Sequence, residues 1–396
     1  MNRAFAGLRV VDFTTTIAGP HCTRLLADLG ADVIKIEAPE GDVMRSRPPL
    51  RNGVSSYFGQ LNAGKRSVVL DLKDRRAVAI ARRLAERTDI LVENYRPGVM
   101  RRLGLDFAVL EPINPRLVYC SISGYGQTGP SSDLPAYAPV IHATSGYDLA
   151  HLAYQRGRSQ PDNCGIYVAD VITGTYAFGA IATALHQRQA LGRAQHIDVS
   201  MLESMLSLTL TELQSAQFEV PAPPSRPIFG PVATADGYLN MAVVSERTFQ
   251  GLAAAAGRPD WIGDPRFAVY LNRRANWGRL MDEFEAWSRH RSTRDCLAVL
   301  DRHAVPAAAY RTVREAMSDP QLSHRGAFAV VSDAGGEFRA LNPPFRMTAT
   351  IAVAGARAPA LGEHTREVLR AAGLNGEEIN ALSDGIMAGG ASEPRP

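Results

Sequence analysis

Short apolar runs, punctuated by turns and by one-sided helices, organise the first half of the chain. Leu8-Arg-Val-Val-Asp-Phe13 reads as a buried strand, Ala18-Gly-Pro20 opens a helix running through Leu29 to Gly30, and Ala31-Asp-Val-Ile-Lys-Ile-Glu37 is a second strand. This order predicts a parallel sheet with right-handed crossovers. A polar loop over Glu37–Asp42 leads into a long Arg- and Pro-rich stretch up to about Tyr57, the kind of loop that often marks function. Asn62-Ala-Gly-Lys-Arg-Ser67 is a basic turn, and Val68 to Lys73 alternates as a strand does. An amphipathic helix is expected from Arg75 to Glu86 and a strand from Asp89 to Asn94. Tyr95-Arg-Pro-Gly98 then turns into a helix ending near Gly104, and Leu117 to Ile122 is a further strand.

The next segment contains Gly124-x-Gly126-x-x-Gly129 directly after a strand, the formal dinucleotide fingerprint. That fingerprint needs a helix opening inside it, so that the helix N-terminus meets a pyrophosphate. Here Pro130 and then Ser-Ser-Asp-Leu-Pro135 follow, which do not continue a helix cleanly. A nicotinamide cofactor is therefore not expected.

Val171 to His186 is apolar, rich in Ala and Gly and free of Pro, and reads as a buried helix with small residues for close packing. Asp170 stands where it begins. An Asp there can cap free N–H groups in the field of the helix dipole, or it can attack an activated acyl group as a nucleophile. The residues alone leave both open. A strand follows over Gln195–Val199, then a long helix from Ser200 to about Gln217, with Ser200 and Glu203 as a capping box.

Val220-Pro-Ala-Pro-Pro-Ser-Arg-Pro227 is the clearest domain boundary. Beyond it the pattern changes. Val232–Gly237 and Tyr238–Val243 suggest a hairpin with an Asp-Gly turn, helices follow near 246–256, 272–290 and 293–303, and Ala327–Asp333 with Glu337–Ala340 suggest a second hairpin. The expected layout is a large α/β domain over 1–220, a linker at 221–227 and a small α+β domain over 228–325. A return to the large domain over 326–386 and a disordered tail at 387–396 complete it.

Composition adds limits. A chain of 396 residues with 45% hydrophobic and 21% charged residues is globular, and a net charge of +3 argues against nucleic acid as a partner. Cys22, Cys120, Cys164 and Cys296 show no zinc-like spacing, so neither a metal site nor a disulfide framework is expected. The N-terminus lacks the apolar core of a signal peptide, and no segment has 18 uninterrupted apolar residues. No membrane span is expected, and the cytoplasm is the default location.

Several segments together resemble the class III CoA-transferases, a family that includes formyl-CoA transferase, carnitine CoA-transferases and 2-methylacyl-CoA racemases. They are Val11-Asp-Phe13 with Ala18-Gly-Pro20, Gly30 to Glu37, Asn62 to Lys73, Val92-Glu-Asn-Tyr-Arg-Pro-Gly98, Ser123 to Pro130, Gly192-Arg-Ala-Gln195 and Leu361-Gly-Glu-His-Thr365. The resemblance implies a Rossmann-like large domain, a smaller domain, and two chains interlocked as a ring-like homodimer. It implies that Asp170 is the catalytic carboxylate. It also implies CoA contacts at Ala18, at Leu72 and Lys73, at Asn94, Tyr95 and Arg96, at Arg102 and near Tyr137. No cofactor is implied beyond coenzyme A as co-substrate.

One position separates the family's branches. Racemases carry a His after the Gly-rich turn, because racemisation needs two proton-transfer groups on opposite faces of the α-carbon. Here that residue is Tyr137, a poor base at neutral pH, which favours the transferase branch; His142 is the reserve candidate. The chain also departs from formyl-CoA transferase. The position of its active-site Gln is Ile17, its Tyr-Glu pair reads Tyr137-Ala138, and its run of glycines is replaced by Pro227 to Ala233. Stabilisation of intermediates must then come from backbone N–H groups or other side chains.

The expected activity is transfer of CoA between carboxylic acids, with short dicarboxylic acids and succinyl-CoA as the expected pair. Arg45, Arg47 and Arg51 could receive a second carboxylate, or equally touch CoA or solvent. The alternatives are a 2-methylacyl-CoA racemase using Asp170 and His142, and a non-catalytic CoA-binding protein.

Overall fold

Runs of Val and Ile with no polar face can be satisfied only by a sheet covered on both sides. The computed structural model, which describes residues 3–155, 157–162, 164–218 and 228–389, has such a sheet. Its strands are β1 (Arg9–Asp12), β2 (Asp32–Glu37), β3 (Arg66–Val69), β4 (Ile90–Glu93), β5 (Val118–Ser123) and β6 (Gln195–Ser200). All neighbours are parallel, in the order 3-2-1-4-5-6. β3 ends at Val69, so the alternation read through Lys73 overran the strand.

The two faces are filled by alternate residues. Val11, Ile34, Val68 and Leu91 pack beneath α3 (Arg75–Ala85), with Val368 and Leu369 from the C-terminal part of the chain. Val10, Val33, Ile90 and Val118 pack beneath α1 (Ala18–Asp28) and α5 (Val168–Leu191). Each fully buried side chain of this size stabilises the fold by about 1.5–3 kcal/mol. Two shorter helices, α2 (Ser56–Asn62) and α4 (Ala138–Thr144), lie between these in sequence.

The described residues fall into two compact units. The first takes in those within Met1–Tyr147, Asn163–Leu210 and Gln321–Pro396, the second those within Asp148–Asp162 and Thr211–Pro320. The second unit has its own core around Trp261, Phe249, Phe267 and Phe284. Its antiparallel sheet comprises β7 (Val232–Ala233), β8 (Tyr238–Met241) and β9 (Ala307–Ala309), with β8 in the middle. The hairpin read at 327–340 forms as Phe328–Asp333 paired with Gly336–Leu341, within the first unit.

Two expected helices are interrupted. The one read from Ser200 to Gln217 is split into Met201–Leu206 and Leu210–Ser215. Between them Ser204, Ser207 and Thr209 turn their hydroxyls back onto the carbonyls of Ser200, Ser204 and Leu206, a local competition that weakens helix continuation. The helix read over 272–290 is two, Tyr270–Ala275 and Trp277–Ser288. The Pro-rich linker at 221–227 lies outside the described residues. The last described helix runs Gly376–Gly389, so the tail expected from 387 begins within a helix, and 390–396 lie outside the described residues.

Among the described residues, α5 is long and apolar enough to cross a membrane by length and composition. It packs along α1 and against β5 and β6, as a core helix does.

Candidate active site

In a sheet of this order the loops leaving β1 and β4 diverge to opposite faces, and the crevice between them is where ligands of such folds bind. The loop after β1, residues 13–17, delivers Ile17 and Ala18, both buried, to the start of α1. α5 crosses that start closely because it carries Gly174. A Cβ there would lie 2.4 Å from the Ala18 carbonyl oxygen.

One turn before Gly174 is Asp170, 9% exposed and third residue of α5. The capping role read for it from sequence does not hold. Tyr167 occupies the N-cap, without a side-chain cap bond, and the Asp170 carboxyl instead lies near the Ala18 backbone N–H, which favours its charged form. Burial pushes the carboxyl up to about 6, and the Ala18 N–H pulls the other way. The result is a carboxylate more basic than usual but still ionised at neutral pH, the combination a nucleophilic carboxylate needs.

One tyrosine lies close enough to this carboxyl to feel its charge. Tyr57, half-buried on α2, has its phenol pushed up by burial and further by Tyr167 and by the Asp170 charge. Sequence reading missed it. Tyr57 stands only five residues before the basic turn at Asn62, but nothing local marks it as lying near Asp170.

His142 is buried on α4, and its Nε2 accepts from the Ala169 N–H at 3.1 Å. It therefore satisfies one of the orphan donors at the start of α5. Tyr137, at the N-cap of α4, is 67% exposed, while Ala138 beside it is buried.

The remaining candidates lie around the strand ends. Leu72 and Tyr95 pack partly buried on the same core face, and burial raises the Tyr95 phenol to about 12. Lys73, Arg96 and Arg102 are exposed. Asn94 turns its amide onto the backbone of Thr15, donating to the carbonyl and accepting from the N–H, both at 2.9 Å. Arg45 and Arg51 are already engaged. Arg45 forks onto Glu37 with two bonds of 2.7 Å and donates to the Pro359 carbonyl, and Arg51 pairs with Asp333 at 2.8 Å. Arg47 is exposed.

No helix opens between Gly124 and Gly129; the next described one begins at Ala138. Among the described residues no three His, Cys, Asp or Glu side chains come together as a metal site requires. Cys22, Cys120 and Cys296 are buried and free, and Cys164 is half-buried and free.

The model of CoA-transferase family III matches residues 5–365. The chain belongs to that family. It is an enzyme of the CoA-transferase kind, and the family uses CoA thioesters as substrates. Its relatives include a succinate–glutarate CoA-transferase of Agrobacterium fabrum, 34% identical over 92% of this chain and 94% of that protein. An acetyl-CoA:oxalate CoA-transferase of Acetobacter aceti is 36% identical over 86% and 88%. Among solved structures, a CAIB/BAIF family protein from Brucella suis superposes with a TM-score of 0.81 at 31% identity, over 94% of this chain and all of that one. Rv3272 from M. tuberculosis superposes with a TM-score of 0.83 at 29% identity, over 92% and 98%.

Proposed function

We propose that this family III enzyme moves CoA from a short dicarboxylic acyl-CoA, with succinyl-CoA as donor, to a second carboxylic acid, and that Asp170 carries the acyl group. The observation that carries this reading is the position of Asp170: a buried, unusually basic carboxylate beside the start of α1.

Asp170 attacks the thioester carbonyl of the donor, forming an aspartyl anhydride and expelling CoA thiolate. The thiolate attacks the aspartyl carbonyl, giving an aspartyl-CoA thioester and freeing the first acid. The acceptor carboxylate attacks that thioester, forming a second anhydride and again releasing thiolate. Attack of the thiolate on the acceptor's acyl carbon yields the new acyl-CoA and restores Asp170. With Ile17 unable to donate a hydrogen bond, the Ala18 N–H is the donor for charge developing on the aspartyl oxygen. Burial limits the access of water, which would turn transfer into hydrolysis.

We read CoA along Ala18, Leu72, Lys73, Tyr95, Arg96, Arg102 and Tyr137, with Lys73, Arg96 and Arg102 exposed and available for its phosphates. The relative named for succinate and glutarate supports the choice of acids. The engagement of His142 Nε2 by Ala169 disfavours α-proton exchange. Exposed apolar side chains at Tyr137, Val140, Ile166, Tyr167, Val171 and Tyr176 support burial against a second copy, in the interlocked dimer of the family. Three buried free thiols accord with a reducing, cytoplasmic setting.

Incubation with a panel of acyl-CoAs and hydroxylamine, followed by peptide mass spectrometry, tests the reading. A hydroxamate on the Asp170 peptide with succinyl-CoA is expected. Transfer at the normal rate by Asp170→Ala would overturn it.

A further inference from the structure

We infer that Asn94 is a positioning residue, whose amide locks the loop between β1 and α1 so that Ala18 stays packed against α5 beside Asp170. The inference rests on the reading of Asp170 as the acyl carrier, and it assigns Asn94 a different task from the CoA contact the family implies.

The loop is held at successive residues. The Thr14 N–H and hydroxyl donate to Asp12, and its carbonyl accepts from Lys35 at 2.7 Å. Thr15 gives both backbone groups to Asn94. The Thr16 N–H reaches Asp42 at 3.4 Å, and Asp42 is itself paired with Lys35 at 3.0 Å.

Thr16 has φ of +70°, a region a β-branched residue enters only when its surroundings force it. Without external bonds on either side of Thr16, the loop would relax toward ordinary backbone angles. Ile17 and Ala18 would move with it, and the Ala18 carbonyl abuts Gly174, one turn from Asp170 on α5.

Of the groups that hold the loop, Asp12, Lys35 and Asp42 are fully or almost fully buried charges, so removing any of them unbalances the core. Asn94 is neutral and only half-buried, and it spans from the end of β4 to the loop after β1. That is the crevice where the strand order reverses. Its loss frees the loop while leaving the core charges paired.

Asn94→Ala tests this. As a positioning residue, Asn94 contributes to kcat: a drop of about 10- to 100-fold is expected, with KM for the acyl-CoA changed less than about threefold. Displacement of Ala18 also moves the titration of Asp170 upward, since the nearby Ala18 N–H favours its charged form. That titration is read without activity, from the pH at which the stability difference between Asp170 and Asp170→Asn proteins changes, measured with and without Asn94→Ala. The other titratable groups around the first turns of α5 (Tyr57, Tyr167, His142 and His21) are common to all four proteins.

A raised KM with unchanged kcat and an unmoved Asp170 titration would make Asn94 a CoA contact and overturn the inference. If Asn94→Ala does not fold, Asn94→Ser, also too short to reach both Thr15 groups, takes its place with the same criteria. Should Asp170→Asn itself transfer CoA normally, the reading of the nucleophile falls, whereas the titration comparison still decides whether Asn94 positions the loop.

Discussion

Replacing Asp170 by Asn should abolish transfer and, above pH 6, make the protein more stable. The reason is the cost of holding a carboxylate out of water. An ordinary aspartate titrates at 3.8, and Asp170 is pushed up to about 6, chiefly by burial. The folded pKa lies above the unfolded one, so between the two values the folded protein holds a proton that the unfolded chain has lost. Stability from this group is therefore fully present below pH 3.8 and is lost as pH rises through about 6. At pH 8 the loss amounts to about 3 kcal/mol. An amide of the same shape escapes it, but its NH2 group needs partners in a buried place, at about 1 kcal/mol. The net gain at pH 8 is thus about 2 kcal/mol, shrinking to nothing or reversing at pH 4. Urea unfolding of both proteins across that range measures the difference. Trp261, Trp277 and Trp287 all lie in the second unit, so tryptophan fluorescence follows the wrong part of the chain. Far-UV circular dichroism is needed, read at the transition that fluorescence does not follow. A difference constant within about 0.5 kcal/mol from pH 4 to 8, with equal m-values, would refute the burial argument, as would one of opposite slope.

The same value sets an acid limb on activity: kcat/KM should fall about tenfold for each pH unit below about 6, and a profile flat down to pH 4.5 would contradict an ionised Asp170 as the attacking group. Gly174→Ala places a Cβ 2.4 Å from the Ala18 carbonyl oxygen. It should force α5 from α1, costing about 1–3 kcal/mol in a thermal or urea melt and most of the transfer rate; full activity would mean that the two helices need not touch. Arg45→Gln removes the fork onto Glu37, whose side chain is 1% exposed. It should cost about 3 kcal/mol of stability while KM for the acceptor acid changes less than about twofold. A tenfold rise in that KM with stability intact would return Arg45 to the acid-binding site.

What was legible in the chain follows the range of the interactions concerned. β1, β2, β4 and β5 are buried on both faces, so each is announced by a short run of Val, Ile or Leu that needs no distant partner to interpret. The order of the strands is not local. Neither is the consequence that matters most, the meeting of the loops after β1 and β4, since Asn94 and Thr15 are 79 residues apart. An Asp ahead of an apolar helix has two local readings, cap or nucleophile, and the capping one failed because the N–H it lies near, that of Ala18, comes from another helix. The arginines fared similarly. Arg45 and Arg51 look free along the sequence and are engaged by Glu37 and Asp333 in space, whereas Arg47, Lys73, Arg96 and Arg102 are exposed. Lys73 and Arg96 belong to the segments that carried the family resemblance and Arg102 follows one of them, so motif and exposure single out the same residues as candidates for phosphate. Tyr57, close enough to feel the Asp170 charge and outside the segments that carried the family resemblance, is the first residue to vary in looking for the groups that receive the acid.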